Sequence, residues 1–296
     1  MPDIAVCVPM FMRSSKLRTL LASAEHVGIE KVYVADDGEM TDAKEAIYAT
    51  DYEFELEVFD LEYDAGVGHK RNVLGSEPAE PYLLFVDSDM QVPPNYETLH
   101  RQLESRPELG GVTPMYLEEG RISTVATDLY EEDGRLYRDI WERKEIESVA
   151  DAPLVEFDFL PNVGLFRKRA LDDYNWDSEY TIMREHLDFY VGHWKRTDWT
   201  FGLCPQVLIP HTPGGSDEYV SHRRSETKFQ RSDEYFRDKW NYVEVVRGAD
   251  RWVDTYDPDL GDFPPGHPIE RFRTVYENGG AIEAAKYAGS YLLSRR

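Results

Sequence analysis

Residues 81–89 read Pro-Tyr-Leu-Leu-Phe-Val-Asp-Ser-Asp, an apolar run that ends in two carboxylates. A short apolar run bounded by proline and acidic residues is typical of a strand that is buried on both faces, as in a parallel sheet. On an extended segment, the side chains of Asp87 and Asp89 point to the same side, so both can reach one divalent cation or its waters. The alternative interpretation is an acidic turn after a buried strand, which is common in α/β proteins.

Strand-like and helix-like segments alternate on the N-terminal side of this stretch. This pattern predicts an α/β fold with a mostly parallel central sheet flanked by helices. In such sheets, ligands gather at the carboxyl ends of the strands, where both carboxylates would lie. The predicted strands are 4–11, 31–35, 54–61 and 81–86, and the predicted helices are 14–27, 41–49 and a segment around 71–74.

The chain beyond Asp89 is less regular, with longer polar stretches between its apolar segments. Residues 118–151 are polar enough to form a hairpin or an excursion from the sheet. A loop rich in Thr, Pro, Gly, Ser and Asp is predicted at 212–218, and it could close over a site. The remaining predictions are helices at 94–104, 184–195, 225–240 and 280–293, strands at 155–166 and 199–209, and coil at about 257–268.

The composition is that of a folded, acidic protein. The chain has 296 residues, of which 41% are hydrophobic and 13% aromatic, and 57 acidic against 33 basic residues give a net charge of −24. A nucleic-acid partner is not expected, because such a partner requires a positive footprint. A surface this acidic is soluble where salt screens its self-repulsion, so we hypothesise a high-salt cytoplasm. The alternative is an ordinary acidic protein.

Neither the cysteines nor the apolar segments indicate secretion or a membrane span. Cys7 and Cys204 each lie in a strand-like stretch and do not suggest a disulfide framework. The N-terminus has no signal-like pattern, and no apolar run approaches the length needed to span a bilayer. We therefore expect a cytoplasmic protein, or one bound peripherally at the cytoplasmic face of a membrane.

Further candidate binding residues follow the second and third predicted strands. Asp36 and Asp37 can accept hydrogen bonds from a nucleotide base or from ribose hydroxyls, although Asp-Asp-Gly is also a common turn. Gly66 and Gly68 would allow close backbone approach to a ligand, and Arg71 can donate a fork of hydrogen bonds. The spacing of these glycines does not match a dinucleotide-binding fingerprint, which disfavours a Rossmann cofactor.

Candidate catalytic and metal-binding groups lie in the C-terminal half. Glu185, His186 and Asp188 open a predicted helix, where one of them could act as a general base, or where the acids could simply cap the first turn. His211 follows a strand and could complete a metal site, although a lone histidine is often structural. A basic cluster within 223–231 could clamp a diphosphate or pair with neighbouring acids.

Taken in order, these segments resemble the family 2 inverting glycosyltransferases of GT-A fold. The resemblance covers roughly residues 4–240, and its motifs have the family's order and spacing. The chain's acidity is also similar to that of haloarchaeal members. The motifs are Val-Pro-Met-Phe-Met-Arg at 8–13, Val-Ala-Asp-Asp-Gly at 34–38, Gly-x-Gly-x-x-Arg-Asn at 66–72, Asp-Ser-Asp at 87–89, Pro-Asn-Val-Gly-Leu-Phe at 161–166, Glu-His-Leu-Asp-Phe at 185–189, and His211.

The resemblance implies roles for the residues of the nucleotide site. Asp37 would contact the base with Asp36 nearby, and Arg71 would support the nucleotide. Pro9 and Ser88 belong to the donor-binding motifs. Asp87 would contact the ribose or the metal, and Asp89 would ligate the metal together with His211.

The acceptor base stays open between three residues. Family members usually begin this helix with a Glu-Asp pair, whereas here the pair is Glu185-His186. The Glu-His-x-Asp-Phe pattern is similar to that of some hexosaminyltransferases, so activity is still expected. Asp188 and Glu185 are favoured over His186, because a carboxylate can accept both the proton and the hydrogen bond of the acceptor.

The implied reaction is metal-dependent, inverting transfer of a hexosyl or hexosaminyl group. The donor would be a nucleotide-diphosphate sugar, with a UDP-sugar favoured, and the cofactor would be Mn²⁺ or Mg²⁺. The acceptor would be a glycan or a lipid-linked glycan destined for a surface glycoprotein. The GT-A domain would span 1–240, with its nucleotide-binding part at about 1–115 and its acceptor part at about 116–240. A C-terminal helical and coil extension would follow at 241–296.

Two other function classes are alternatives. A sugar-1-phosphate nucleotidyltransferase also uses an α/β sheet, a nucleotide and a metal, but it normally has a glycine-rich loop after its first strand. Residues 9–18 contain no glycine, which disfavours that class. The other alternative is a non-catalytic nucleotide- or sugar-binding protein whose acidic pairs only stabilise turns.

Overall fold

The computed structural model describes residues 3–140 and 144–248, together with Trp252, Phe272, Tyr276, 280–282 and 284–288. The coil predicted at 257–268 lies outside these residues. Residues 280–282 and 284–288 are helical, in agreement with the sequence prediction. The rest of the helix predicted at 280–293 lies outside the residues that the structure describes.

The N-terminal half consists of alternating strands and helices, as predicted. Each predicted strand in this half is present to within two residues at either end. The sequence of elements is β1 (Ile4–Met10), α1 (Ser14–His26), β2 (Lys31–Asp36), α2 (Asp42–Tyr48), β3 (Glu55–Asp60), α3 (Val67–Ser76) and β4 (Tyr82–Phe85).

The C-terminal half is richer in antiparallel strands. Its elements are α4 (Glu97–Ser105), β5 (Leu109–Glu118), β6 (Arg121–Ser123), β7 (Asp128–Glu132), β8 (Arg135–Asp139), β9 (Glu147–Val149), β10 (Ala152–Glu156), β11 (Gly164–Arg167), α5 (Lys168–Asp173), α6 (Glu185–Arg196), β12 (Thr200–Pro210), α7 (Asp217–Arg223), α8 (Glu226–Trp240) and β13 (Glu244–Arg247).

The central sheet has the order β3-β2-β1-β4-β11-β5-β12-β10-β9, with β6 paired to β5. Strands β1 to β4 are parallel, and β12 is parallel to β5. Strand β11 is antiparallel to both of its neighbours, β4 and β5. The large central sheet flanked by helices agrees with the predicted α/β fold class. The sheet is parallel from β3 to β4 but mixed beyond it, because β11, β10, β9 and β6 make antiparallel pairings.

Helices cover both faces of this sheet, which explains why β1 is apolar throughout. Val6 and Val8 point into one buried layer, which they share with α1, α2 and α4. Ala5 and Cys7 point into the opposite layer, which is rich in aromatic residues and includes α3, α6 and α8. Successive side chains of a strand alternate between faces, so a strand covered on both sides has no polar face. Both Cys7 and Cys204 are buried and free.

The prediction of a single strand at 155–166 is wrong, because two separate strands lie in this region. Strand β10 ends at Glu156 and pairs with β12, whereas β11 begins at Gly164 and lies between β4 and β5. The intervening Phe157 and Phe159 are apolar because they are buried in the aromatic-rich layer, even though they belong to no strand. Hydrophobic content alone does not distinguish a buried connection from a strand.

The structure refines the predictions for two further segments, the loop at 212–218 and the polar stretch at 118–151. The loop predicted at 212–218 ends earlier, because Ser216 caps α7 by accepting a hydrogen bond from the backbone N–H of Tyr219 at 3.2 Å. The polar stretch 118–151 contains the predicted hairpin, formed by β7 and β8. Asp133 and Gly134 join these strands with φ angles of 49° and 72°, as a two-residue turn of the Asp-Gly type requires.

Strands β7 and β8 belong to a separate three-stranded sheet, in which β13 pairs in parallel with β8. Strand β13 comes from the predicted C-terminal extension. Among the described helices, none combines the length and the apolar character that crossing a bilayer requires.

Candidate active site

A cavity of about 670 Å³ opens at the carboxyl ends of β1, β2 and β4. Ligands of open α/β sheets bind at this edge, where the loops after parallel strands converge. The cavity brings together seven of the predicted site residues, which are Pro9, Asp37, Arg71, Asp87, Ser88, Glu185 and His186. The other four predicted residues, Asp36, Asp89, Asp188 and His211, are not part of its wall.

The cavity wall is strongly basic in an acidic protein. Among the described residues, eight Lys and Arg side chains line the cavity, against four carboxylates. This local excess of positive charge would attract an anionic ligand such as a diphosphate. The basic residues are Arg13, Lys70, Arg71, Arg138, Arg184, Arg223, Lys228 and Arg247, and the acidic residues are Asp37, Asp64, Asp87 and Glu185.

The two carboxylates that follow β2 have different environments. Asp36 is completely buried and accepts hydrogen bonds from Lys44 Nζ (2.7 Å), Tyr48 (2.6 Å) and the backbone N–H of Gly38 (3.0 Å). It therefore stabilises the turn. Asp37 lines the cavity and accepts bonds from Lys70 and from the Gly66 N–H (2.8 Å). Each carboxylate oxygen can accept more than one hydrogen bond, so Asp37 can still receive a donor from a ligand.

Gly66 immediately precedes α3 and Gly68 lies in its first turn, and both approach the backbone of another segment. The N–H of Gly68 donates to the carbonyl of Tyr180 at 2.9 Å, and a Cβ on Gly66 would lie 2.5 Å from Cα of Thr181. Gly66 has a φ of 107°, which L side chains rarely adopt. These glycines therefore allow α3 to pack against the loop that precedes α6, and the expected close approach to a ligand is a secondary feature.

Arg71 connects the two halves of the site. Its guanidinium donates to Asp87 Oδ1 at 2.6 Å and to the backbone carbonyl of Asn162 at 2.6 Å. Burial raises the pKa of Asp87, but the positive charges of Arg71 and Arg13 outweigh this effect, and the net pKa is lowered. Asp87 is therefore an anion that is held in a fixed position at the cavity surface.

Asp89 and His211 lie side by side next to the cavity. His211 Nε2 is 3.4 Å from Asp89 Oδ2, and Nδ1 of His211 is 2.8 Å from Glu118 Oε2. An isolated β-bridge between Met90 and His211 holds the two segments together. Arg13, which lines the cavity, forms an ion pair with Asp89 and donates to Ser88 Oγ at 3.2 Å.

This arrangement fits a divalent cation. A carboxylate oxygen and an imidazole nitrogen only 3.4 Å apart can both reach one ion. The Glu118 carboxylate orients His211 through its other ring nitrogen, which is the usual outer-shell partner of a metal-bound histidine. Among the described residues, no group of three or more His, Cys, Asp or Glu side chains is placed to hold a metal. Further ligands would therefore have to come from a diphosphate and from water.

The start of α6 presents Glu185 to the cavity. Met183 and Arg184 precede it in left-handed conformations, with φ of 62° and 67°. Such conformations are unfavourable for residues with side chains and cluster at functional sites. Arg184 is anchored by Asp233 of α8, at 2.8 Å from Nε. This turn is therefore held in place by contacts from another helix.

Glu185 has the properties of a general base. Its Oε2 atom is buried without a hydrogen-bond partner. Burial raises the pKa of Glu185, although the nearby Arg71 partly opposes the shift. A carboxylate with a raised pKa and a free oxygen at a cavity is suited to accept a proton.

His186 lines the same cavity but is poorly suited to that role. Its Nε2 accepts the backbone N–H of Asn162 at 2.8 Å, so the lone pair is occupied. Partial burial and the neighbouring Arg71 guanidinium lower the pKa of His186. The ring is therefore neutral and positions the 161–163 loop against α6.

Asp188 does not face the cavity, which argues against its predicted role as base. Its carboxylate is completely buried and accepts hydrogen bonds from four side chains. A general base must come within hydrogen-bond reach of the proton that it removes, and Asp188 is not part of the cavity wall. The donors are Tyr174 (2.9 Å), Tyr180 (3.0 Å), Lys239 (3.0 Å) and Trp240 (2.8 Å).

The basic cluster within 223–231 is divided by the structure. Arg223 and Lys228 line the cavity, whereas Arg224 and Arg231 do not. Lys228 pairs with Asp64, which follows β3. Helices α7 and α8 therefore bring two cations to the opening above the sheet.

Sequence reasoning did not assign roles to several residues of the site. Arg13 lies inside the first quoted motif, so its position was a usable signal. Asn162 likewise lies inside the quoted motif at 161–166, although its contacts with Arg71 and His186 depend on the fold. Glu118 lies in none of the quoted motifs, and its contact with His211 also depends on the fold. Arg138 and Arg247 reach the cavity from the separate sheet, whose pairing links distant parts of the chain.

Comparison with known proteins supports the fold. No protein-family model matches the chain, and no curated protein sequence matches it significantly. A structure of S. aureus TarS 1–349 in complex with UDP is similar to it, with a TM-score of 0.50 and 17% identity, covering 82% of this chain and 73% of that chain. A second structure of TarS 1–349 gives a TM-score of 0.52 and 15% identity, covering 96% and 81%. A structure of S. aureus TarS gives 0.51 and 15%, covering 94% and 48%.

The predicted fold class is thereby confirmed as α/β of GT-A type, with a large central sheet flanked by helices.

Proposed function

We propose that the protein is a metal-dependent, inverting glycosyltransferase that uses a nucleotide-diphosphate sugar, with a UDP-sugar favoured. The observation that carries the proposal is the cavity itself. It combines eight cationic side chains with a buried, partner-free carboxylate oxygen of Glu185, at the ligand-binding edge of a GT-A-type sheet. The UDP complex of the similar TarS structure supports a uridine nucleotide.

The donor would occupy the β1, β2 and β4 side of the cavity. Asp37 would accept a hydrogen bond from the base, and Pro9 would form part of the wall beside it. Asp87, which Arg71 holds in place, would accept hydrogen bonds from the ribose hydroxyls. Arg223 and Lys228 would meet the diphosphate from α7 and α8. In this arrangement Asp36 has a supporting role, because it fixes the turn that presents Asp37.

Asp89 and His211 would hold the divalent cation, Mn²⁺ or Mg²⁺, together with diphosphate oxygens. When bound, such a cation neutralises negative charge on the departing nucleoside diphosphate. The role of Glu118 would be to hold His211 in the orientation in which Nε2 faces Asp89.

Glu185 would act as the base toward the acceptor. It removes the proton of an acceptor hydroxyl, whose oxygen forms a bond to the anomeric carbon while the bond to the diphosphate oxygen breaks. Attack from the face opposite the leaving group inverts the configuration. Positioning the two substrates together accounts for much of the expected rate enhancement. The acceptor class that we propose is a glycan, free or lipid-linked, reached from the cytoplasmic face of a membrane.

Calorimetric titration of UDP-, GDP- and dTDP-sugars tests the proposal, in high salt with Mn²⁺, Mg²⁺ or EDTA. We expect one nucleotide to bind in a metal-dependent manner and Asp89→Ala to remove the metal dependence. Asp60→Ala is the matched control, because Asp60 ends the edge strand β3 of the same sheet at an exposed position. Absence of binding under every condition would overturn the proposal.

A second readout separates the function classes. A transferase should release nucleoside diphosphate from the bound donor, slowly with water and faster with an acceptor. Release of pyrophosphate from a nucleoside triphosphate and a sugar phosphate would instead identify a nucleotidyltransferase. Binding without any turnover would identify a non-catalytic binding protein.

A further inference from the structure

Arg13 occupies the position in which a cation on Asp89 would be expected. It lies between β1 and α1, and its side chain is 12% exposed. The guanidinium pairs with Asp89, donates to Ser88 Oγ and lies 4.6 Å from the ring centroid of Tyr219. Three separate contacts therefore hold this positive charge next to His211.

The backbone of Arg13 is fixed, whereas its side chain reaches the site through rotatable bonds. Its carbonyl accepts the N–H groups of Lys16 and Leu17, both at 3.0 Å, which anchors it at the start of α1. An Arg side chain has several rotatable bonds, so the guanidinium can change partners without movement of the main chain. The cavity that it lines offers space on the donor side.

Arg13 and a divalent cation would compete for Oδ2 of Asp89, the oxygen that His211 also faces. A metal ion would have to lie about 2.0–2.6 Å from a carboxylate oxygen, which is the space that the guanidinium nitrogen uses. The two positive charges would also repel one another. His211 is already oriented by Glu118 toward the same oxygen of Asp89, so Arg13 is the group that has to leave.

We propose that Arg13 and the divalent cation are alternative partners of Asp89. In the absence of metal, Arg13 neutralises Asp89 and keeps the site closed to ions. When the metal binds, the displaced guanidinium turns into the cavity and donates to the diphosphate of the donor. This inference rests on the proposed function, because it assigns Arg13 a role at the same metal and donor site.

The exchange makes metal and donor binding interdependent. Displaced Arg13 loses its ion pair with Asp89, and the diphosphate supplies a replacement partner that a guanidinium fork fits well. Metal binding alone should therefore be weak, and a nucleoside diphosphate should strengthen it. The same coupling must operate in both directions, since linkage between two ligands is reciprocal.

Binding of Mn²⁺ alone tests the exchange, measured by electron paramagnetic resonance of the free ion with the full-length chain in high salt. We expect Arg13→Met to bind Mn²⁺ roughly tenfold more tightly than the wild type, since an intrinsic competitor has been removed. Arg223→Met is the matched control. It removes the same charge from the cavity wall without any contact to Asp89, and it should change Mn²⁺ affinity much less.

Addition of UDP completes the test. UDP should strengthen Mn²⁺ binding to the wild type more than to Arg13→Met, because only the wild type can transfer its guanidinium to the diphosphate. Arg13→Lys, which keeps the charge, should retain weak Mn²⁺ binding and serves as the second variant if Arg13→Met does not fold.

The outcomes separate this inference from the proposed function. Equal Mn²⁺ affinity in the wild type and Arg13→Met, with binding lost in Asp89→Ala, would overturn the exchange and leave the metal site in place. Lack of Mn²⁺ binding by both the wild type and Arg13→Met, with or without UDP, would overturn the exchange and the metal dependence together. UDP-sugar binding and turnover in EDTA would then show whether a transferase remains.

Discussion

Glu185 and Asp188 lie one turn apart at the start of α6, and their carboxylates have opposite environments. Glu185 faces the cavity with one buried oxygen that has no partner, whereas both oxygens of Asp188 accept hydrogen bonds in the core. The two acids therefore have separable functions. Glu185 lies at the cavity, where we propose that it acts as the base, and Asp188 ties α6 to α8 through Lys239 and Trp240.

Replacement of Glu185 by Gln should lower kcat by about 10²–10⁴ and leave donor affinity nearly unchanged, because the amide cannot accept the acceptor proton. The raised pKa of Glu185 also sets the pH dependence of the wild type. Activity should fall as pH decreases through that pKa, at higher pH than for an ordinary glutamate. A pH profile of kcat/KM checks this, and a variant with wild-type kcat would exclude Glu185 as the base.

Replacement of Asp188 by Asn should mainly reduce stability. Removing one partner of a buried ion pair typically costs about 3–5 kcal/mol. Urea unfolding at constant salt measures this loss, and kcat per folded molecule should stay within a few-fold of the wild type. Asp177→Asn is the control, since Asp177 accepts from the same Lys239 at a more exposed position and should cost less. Loss of kcat with unchanged stability would return Asp188 to the list of candidate bases.

His186→Gln should retain most activity, whereas His186→Ala should not. The Gln carbonyl oxygen can accept the Asn162 N–H that Nε2 of His186 accepts now. Alanine would leave that N–H without a partner, which costs about 1–3 kcal/mol for a buried group and would loosen the loop beside Arg71. Steady-state kinetics of the two variants provide the comparison. Equal losses, as large as that of Glu185→Gln, would indicate direct participation of the imidazole.

His193 should contribute a pH-dependent term to stability. It is completely buried among Phe189, Tyr174 and Phe201, and burial lowers its pKa to about 4. Below about pH 6.5 the unfolded chain binds a proton that the folded chain does not, so the free energy of unfolding falls as pH decreases from about 6.5 to about 4. The full effect is about 3 kcal/mol.

His193→Gln should remove this term, so that the variant loses less stability than the wild type over the same pH range. Urea unfolding at several pH values measures the difference. His26→Gln, at an exposed position of α1, should behave like the wild type. Parallel pH dependence in wild type and His193→Gln would contradict the prediction.

The hypothesis of a high-salt cytoplasm predicts that stability rises with KCl. Raising the concentration from about 0.1 to about 1 M shortens the Debye length from about 10 to about 3 Å, which screens repulsion within a chain of net charge −24. The urea midpoint should increase over this range, and sucrose at equal osmolarity should have a smaller effect. A midpoint that does not depend on KCl would indicate an ordinary acidic protein.

The N-terminal half of the fold was predictable because its units are local. Strands β1 and β4 are apolar runs, β2 is largely apolar and β3 alternates between polar and apolar residues, and each of the four is followed by a helix. Both the elements and the parallel order can therefore be derived from neighbouring residues. The error at 155–166 arose where structure depends on distant partners. The chain on either side of Pro161 and Asn162 is equally apolar, but β10 and β11 occupy separate places in the sheet.

The candidate site was predictable to a similar extent. Asp37, Asp87 and Arg71 follow strands, and the topology of a parallel sheet brings strand ends together. Asp188 was harder to interpret, because spacing along α6 cannot show that Lys239 and Trp240 enclose its carboxylate from α8. The ion pair of Arg13 with Asp89 likewise depends on a contact across 76 residues.

Strand β13 has a consequence for how this protein could be divided or recombined. It follows α8 after only three residues, pairs along its whole length with β8, and contributes Val245 and Arg247 to the cavity wall. A gene shortened after codon 240 would leave β8 with an open edge and remove Val245 and Arg247 from the cavity wall. Exchange of the C-terminal segment between related genes would therefore reshape this side of the cavity, while the ends of β1, β2 and β4 kept their part of the wall unchanged.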